Sequence, residues 1–164
     1  MNYQTRHLPS QESLQRVSAE YGSERSSQDV ELILLLLNVA NRFRCEVFSN
    51  LEKRYGLSEG KFILLMALSE NPNGLSVNEL AKRVGVSTPT VSIMIKRMLV
   101  GNDPLIAVHT TQDDARVRQI FLSKAGKALL AEVLPIHLKQ ITDFNQPISL
   151  VESKTLVALL RKLL

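Results

Sequence analysis

Two serine-led segments hinged on one glycine, Ser76–Val84 and Ser87–Val100, constrain this chain more than any other feature. Ser76-Val77-Asn78-Glu79 has the spacing of a capping box, in which the serine hydroxyl and the glutamate carboxylate each satisfy a backbone N–H that the first helical turn leaves open. Leu80, Ala81 and Val84 then give a short helix its inner face. Gly85 supplies a tight turn. Ser87 caps a second helix, and Pro89 falls in its first turn, where no intrahelical bond is lost. Around that helix Val91, Met94, Ile95, Met98 and Leu99 share one sector, and Pro89, Ser92, Ile93, Lys96 and Arg97 the opposite one. Two short helices at a sharp turn, the second apolar inside and polar outside, satisfy the requirements of a helix-turn-helix.

The outward stripe suits the major groove of double-stranded DNA. Small residues at the start of the helix let the backbone approach the bases, hydroxyls bond phosphates or base edges, and cations pair with phosphate. The candidate contacts are Ser87, Thr88, Pro89, Thr90, Ser92, Lys96 and Arg97. A solvated surface helix with two cations would read the same by periodicity alone. Ile93 is apolar on the polar side. It either meets a thymine methyl group or is one of the single exposed apolar residues common on protein surfaces.

After Asp103-Pro104, the runs Leu105–Thr111 and Arg116–Leu122 predict a β-hairpin around a turn at Gln112-Asp113-Asp114. Such a hairpin is a wing. Arg116 at its tip either enters a minor groove, with Arg118 on the same strand as a further cation and Asp113 or Asp114 holding Arg116 or bracing the wing, or belongs to a solvated hairpin with an incidental ion pair. On either side the chain is helical. From Ser27 to Tyr55 apolar residues recur at Ile33, Leu36, Leu37, Ala40, Phe43, Val47 and Leu51, and Leu32, Leu34 and Leu35 widen the stripe toward burial on a second side. Ser58 opens another helix, with Phe62, Leu65, Met66 and Ser69 on one face. Ser123 opens a long helix to about Phe144, bent or strained at Pro135, and Ser149 with Glu152 caps a last one. The predicted fold is mainly α with a small β-hairpin wing: a winged helix-turn-helix with N- and C-terminal dimerisation helices. Residues 1–28 form a polar arm that includes a candidate short helix after Pro9-Ser10. Residues 29–56 and 123–164 form the dimerisation region, and residues 57–122 the DNA-binding region.

Composition narrows the function. The 164 residues carry a net charge of +4, and most of that excess lies between Lys82 and Arg118. A single cysteine, Cys45, rules out an intrachain disulfide and fits a reducing cytoplasm. His7, His109 and His137 lack zinc-site spacing. No phosphate-binding glycine loop or nucleophile elbow is present, so neither catalysis nor a cofactor is expected. The longest apolar run, Leu32–Leu37, is far too short for a membrane span.

These residues resemble the MarR (multiple antibiotic resistance regulator) family. Leu57-Ser58 with Phe62 and Leu65 is similar to the family's second helix. Leu75-Ser76, Glu79-Leu80-Ala81, Gly85-Val86-Ser87 and Thr90-Val91 are similar to its helix-turn-helix. Asp114 with Arg116, then Leu122-Ser123 and Gly126, resemble its wing and the helix that follows. The resemblance implies a homodimer joined through its terminal helices, with the Thr88–Arg97 helix in the major groove and Arg116 in the minor groove. Many relatives are repressors released by small aromatic or phenolic ligands. Ala115, Ile93 and Val108 stand where the family often has basic residues, and the segment from Met98 to Leu105 is longer than usual.

The expectation is therefore a cytoplasmic, dimeric, sequence-specific DNA-binding regulator. Its partners would be double-stranded DNA, a second copy and a small aromatic ligand, with repression favoured over activation. Two rivals stand beside it: a winged-helix protein-interaction module that has lost DNA binding, and a redox-responsive regulator using Cys45. Phe43, Phe48, Phe62 and Met66 either line a ligand pocket or form ordinary core. His137 is expected to be a partly exposed helix residue.

Overall fold

The computed structural model describes residues 7–22, 24–111 and 114–164, with side chains excepted at 24–25, 110–111 and 114–117. The chain divides into two compact units, Met1–Asn50 and Leu51–Leu164.

In the first unit the expected short helix is present as α1, Gln11–Tyr21, capped by the Ser10 hydroxyl accepting from the Ser13 N–H. It packs on α2, Glu24–Phe43. The packed side of α1 carries buried Ser18 and half-buried Leu14, whereas Val17 and Tyr21 are exposed. Gly22 closes the turn by donating its N–H to the Ser18 carbonyl at 2.9 Å. A Cβ there would stand 2.8 Å from Ser26 Oγ.

The long apolar segment is helical throughout but not one uniform α-helix. A π-helical turn, Arg44–Phe48, separates α2 from α3, Ser49–Tyr55. The Ser49 N–H reaches the Arg44 carbonyl, its hydroxyl donates to the Cys45 carbonyl, and the Asn50 amide donates to the Glu46 carbonyl at 2.8 Å. Side chains that bond back onto the helix backbone loosen the regular ladder. Of the expected stripe only Val47 and Leu51 are buried. Ile33, Leu37 and Ala40 are exposed, as are Leu32 and Leu35.

In the second unit the middle element is α4, Glu59–Ser69, which buries Phe62, Leu64, Leu65, Ala67 and Leu68. That is burial on more than one side; Met66 is half-buried and Ser69 exposed, against the single face expected. Around α4 lie α5, Val77–Val84, the sheet, and α7, Lys124–Asn145. The hairpin strands are β2, Ile106–Thr111, and β3, Asp114–Leu122. A two-residue strand, β1, Leu75–Ser76, adds to the other edge of β3 with Leu75 opposite Ile120, giving the sheet order β1-β3-β2. The register of β2 on β3 shifts between Thr110 and Thr111, which marks a bulge near the wing tip.

Two glycines permit close approach. Gly74 has φ +78°, and a Cβ there would meet the Phe121 ring at 2.8 Å. At Gly126 a Cβ would collide with the Leu105 carbonyl oxygen, which accepts from the Ser123 N–H at 3.1 Å. The start of α7 is thereby pinned to the start of β2. α7 runs through Pro135 without a break. The last α-helix, α8, Leu150–Leu160, has the expected capping box but buries no residue.

Candidate nucleic-acid interface

The local geometry follows from the caps. The Ser76 hydroxyl accepts from the Glu79 N–H at 3.3 Å, and the Glu79 carboxylate accepts from the Ser76 N–H at 2.8 Å. The Ser76 hydroxyl and its backbone N–H together hold the Glu79 carboxyl below the usual carboxylate range. Ser76 also ends β1, opposite Gln119 of β3, so the start of α5 is tied to the wing. Gly85, at φ +74°, closes the turn, and both its N–H and that of Val86 reach the Ala81 carbonyl.

The second helix of the motif is α6, Thr88–Met98. Ser87 caps it, accepting from the Thr90 N–H, and Pro89 lies in its first turn as expected. Val91, Ile95 and Met98 are buried. Met94 is half-buried, its methyl 3.2 Å from where a Cβ on Gly60 would stand, so α6 sits close on α4. Leu99, expected in the core sector, is exposed because the helix ends at Met98.

On the outer side Ser87, Thr88, Pro89, Thr90, Ile93, Lys96 and Arg97 are exposed, and Ser92 is half-buried. The hydroxyls there are engaged within the protein. Ser87 Oγ and Thr90 Oγ1 are 2.8 Å apart, Thr88 Oγ1 donates to Asn78 Oδ1 at 3.2 Å, and Ser92 Oγ donates to the Thr88 carbonyl at 2.9 Å. These bonds use hydroxyl donors, and each hydroxyl oxygen keeps acceptor capacity that a base amino group can use. Nothing in the sequence marks Asn78 as the partner of Thr88, because ten residues and a turn separate it from the hydroxyl it meets. With Lys82, Val86 and Thr88 it lines a shallow groove between α5 and the start of α6.

Arg118 is exposed on β3, opposite Thr110. Arg116 and Asp114 belong to the same strand, but their side chains, with the expected contacts of the wing tip, lie outside the described residues. At the wing root the Phe121 ring lies edge-on to His109, centroids 5.0 Å apart. Lys82, Arg83, Lys96, Arg97 and Arg118 are exposed cations of this unit. The element order, the third strand and the α5–α6 geometry are those of a winged helix.

A sequence model of the MarR family matches residues 55–102, which run from the end of α3 to just past α6. Over that segment the chain is similar to the MarR family. Over 156 residues it is 29% identical to the HTH-type transcriptional repressor YetL of Bacillus subtilis, covering 94% of this chain and 91% of that protein. The structure of a probable transcriptional regulator from Pseudomonas aeruginosa is similar at a TM-score of 0.69 and 26% identity, over 84% of this chain and 99% of that one. Sco3205, a MarR family transcriptional regulator from Streptomyces coelicolor solved in complex with DNA, is similar at a TM-score of 0.75 and 16% identity, over 87% of this chain and 91% of that one. Among the described residues no helix is long and apolar enough to cross a membrane.

The other singled-out residues resolve individually. Cys45 is half-buried within the π-helical turn. Phe43 and Phe48 stack edge-to-face at 5.5 Å. His137 is buried, not partly exposed, with its ring 4.5 Å from that of Phe62.

Proposed function

We propose that this protein is a dimeric, sequence-specific DNA-binding transcription regulator that represses by occupying its site. The observation that carries the reading is the outer face of α6, whose small N-terminal residues and C-terminal cations, Lys96 and Arg97, project from a helix fixed at both ends of the turn before it. The helix is of a diameter the major groove admits, and the small residues allow close approach. Lys82, Arg83 and Arg118 supply further charge for phosphates, and Arg116 is assigned to the minor groove. The repressor YetL and the DNA complex of Sco3205 support this reading. Release by a small aromatic ligand belongs to it as the expected regulation.

Dimerisation is the second part of the proposal. Val30, Ile33, Leu37 and Val39 of α2 are exposed, and so are Leu150, Val151, Leu156 and Leu159 of α8. Apolar helices without a buried face are stabilised when another surface covers them. A second copy is the proposed cover, and a dimer would read two half-sites about one helical turn apart.

The test is fluorescence anisotropy with the DNA upstream of the chain's own gene at two salt concentrations. Binding is expected to weaken steeply with salt, as counterion release requires. Arg116→Ala is expected to lose at least about 1 kcal/mol, the scale of one good groove contact. Absence of binding to that DNA and to a genomic fragment pool at low salt would overturn the proposal in favour of a protein-interaction module.

A further inference from the structure

The outer face of α6 is short of hydrogen-bond donors for base edges. The hydroxyls of Thr88 and Ser92 donate to Asn78 and to the Thr88 carbonyl, and those of Ser87 and Thr90 share one bond. The two cations lie in the last turn. Between the hydroxyls and the cations stands Ile93, 52% exposed, one turn after exposed Pro89 and one turn before exposed Arg97. Across the helix from this face, Val91, Ile95 and Met98 are buried, so the core fixes which way Ile93 points.

An exposed isoleucine by itself calls for no explanation. This one occupies the middle of the face that the proposed function places in the major groove, flanked by charge that complements phosphate. The one apolar group the major groove displays is the C5-methyl of thymine; every other distinguishing feature there is a donor or acceptor that an isoleucine would leave unsatisfied. We infer that Ile93 is a specificity-determining residue that reads thymine through its methyl group, selecting A·T pairs at one position of each half-site. The inference rests on the DNA-binding reading above and adds what that reading does not contain: the base, the atom and the side chain.

The test separates the two. Duplexes are selected from a random-sequence library with the wild-type protein. The tightest is then remade with each thymine in turn replaced by deoxyuridine, which differs only in lacking the methyl group. At one thymine of each half-site the wild type is expected to lose about fourfold in affinity, the worth of burying one methyl-sized group. Ile93→Ala should bind the thymine duplex correspondingly weakly and be indifferent to deoxyuridine there. Ile93→Val, which keeps branched methyl groups, should still discriminate. Because Ile93 is exposed, both variants are expected to keep the wild-type circular dichroism spectrum. If the wild type selects a duplex but no deoxyuridine substitution matters, or if Ile93→Ala discriminates as the wild type does, the inference is overturned and DNA binding stands. If no duplex is enriched, the DNA-binding reading itself fails, and the inference with it.

Discussion

His137 is buried on α7, and its own helix does not account for that. Leu138 and Lys139 beside it are exposed, and nothing in the pattern of α7 distinguishes one polar residue from the next. Only the arrival of α4 decides the matter, by laying the Phe62 ring at a 57° tilt, 4.5 Å from the imidazole. Burial disfavours the charged ring, so the His137 pKa falls below the ordinary histidine value. The unfolded chain therefore takes up a proton at a pH where the folded chain still resists it. This group leaves stability unaffected above about pH 6.5, lowers it as the pH falls below that value, and stops lowering it once the pH has passed the depressed folded pKa. Urea unfolding of the wild type and of His137→Phe between pH 8 and pH 5 should show a decline toward acid that is shallower in the variant. Parallel curves would show that this histidine does not contribute to the pH dependence. Ile93 makes a complementary case: its anomaly was visible in the sequence, and its meaning depends on the direction in which the buried side of α6 turns it.

Among the elements, what was legible was local chemistry. Serines 10, 76, 87, 123 and 149 cap the helices they were expected to cap, because an N-cap is decided by residues within one turn of each other. What was not legible was tertiary. Strand β1 is two residues long, too short for any periodicity, and exists because β3 offers it an edge. The π-helical turn is accompanied by side-chain bonds from Ser49 and Asn50 to carbonyls one turn back, which apolar spacing does not register. The same division predicts how two caps differ. Ser123 accepts from the Gly126 N–H at 3.0 Å and also donates to the Pro104 carbonyl at 2.6 Å, joining α7 to the segment just before β2. Ser149 caps α8 within its own exposed turn, its hydroxyl accepting from the Glu152 N–H at 3.3 Å and donating to the Glu152 carboxylate at 2.7 Å. Ser123→Ala is expected to cost about 2 kcal/mol in chemical denaturation, the upper end for a lost cap, because a half-buried carbonyl also loses its donor. Ser149→Ala should cost clearly less. Equal losses would mean that the Pro104 bond adds nothing to the cap.

For the whole molecule, the apolar faces of α2 and α8 and the cations around α6 make a joint demand that a salt titration can test. Under the proposed dimer each phosphate-contacting side chain occurs twice in the complex. Removing one contact per protomer then removes two from the complex, and each contributes about −0.9 to the slope of log K against log salt. Lys96→Ala should accordingly flatten that slope by nearly two in a dimer and by about one in a monomer. Leu156→Glu supplies the matching control. Leu156 is exposed on a helix that buries none of its residues, so a charge there leaves the packing of the chain's own core alone while opposing an apolar association. This variant should sediment as a monomer with unchanged helical circular dichroism and bind DNA with a slope about half that of the wild type, because half the phosphates are contacted. If it remains dimeric, α8 is not in the interface. If it becomes monomeric and keeps the full slope, the phosphates are contacted by one protomer, and the two-half-site arrangement is wrong even though the helix-turn-helix binds.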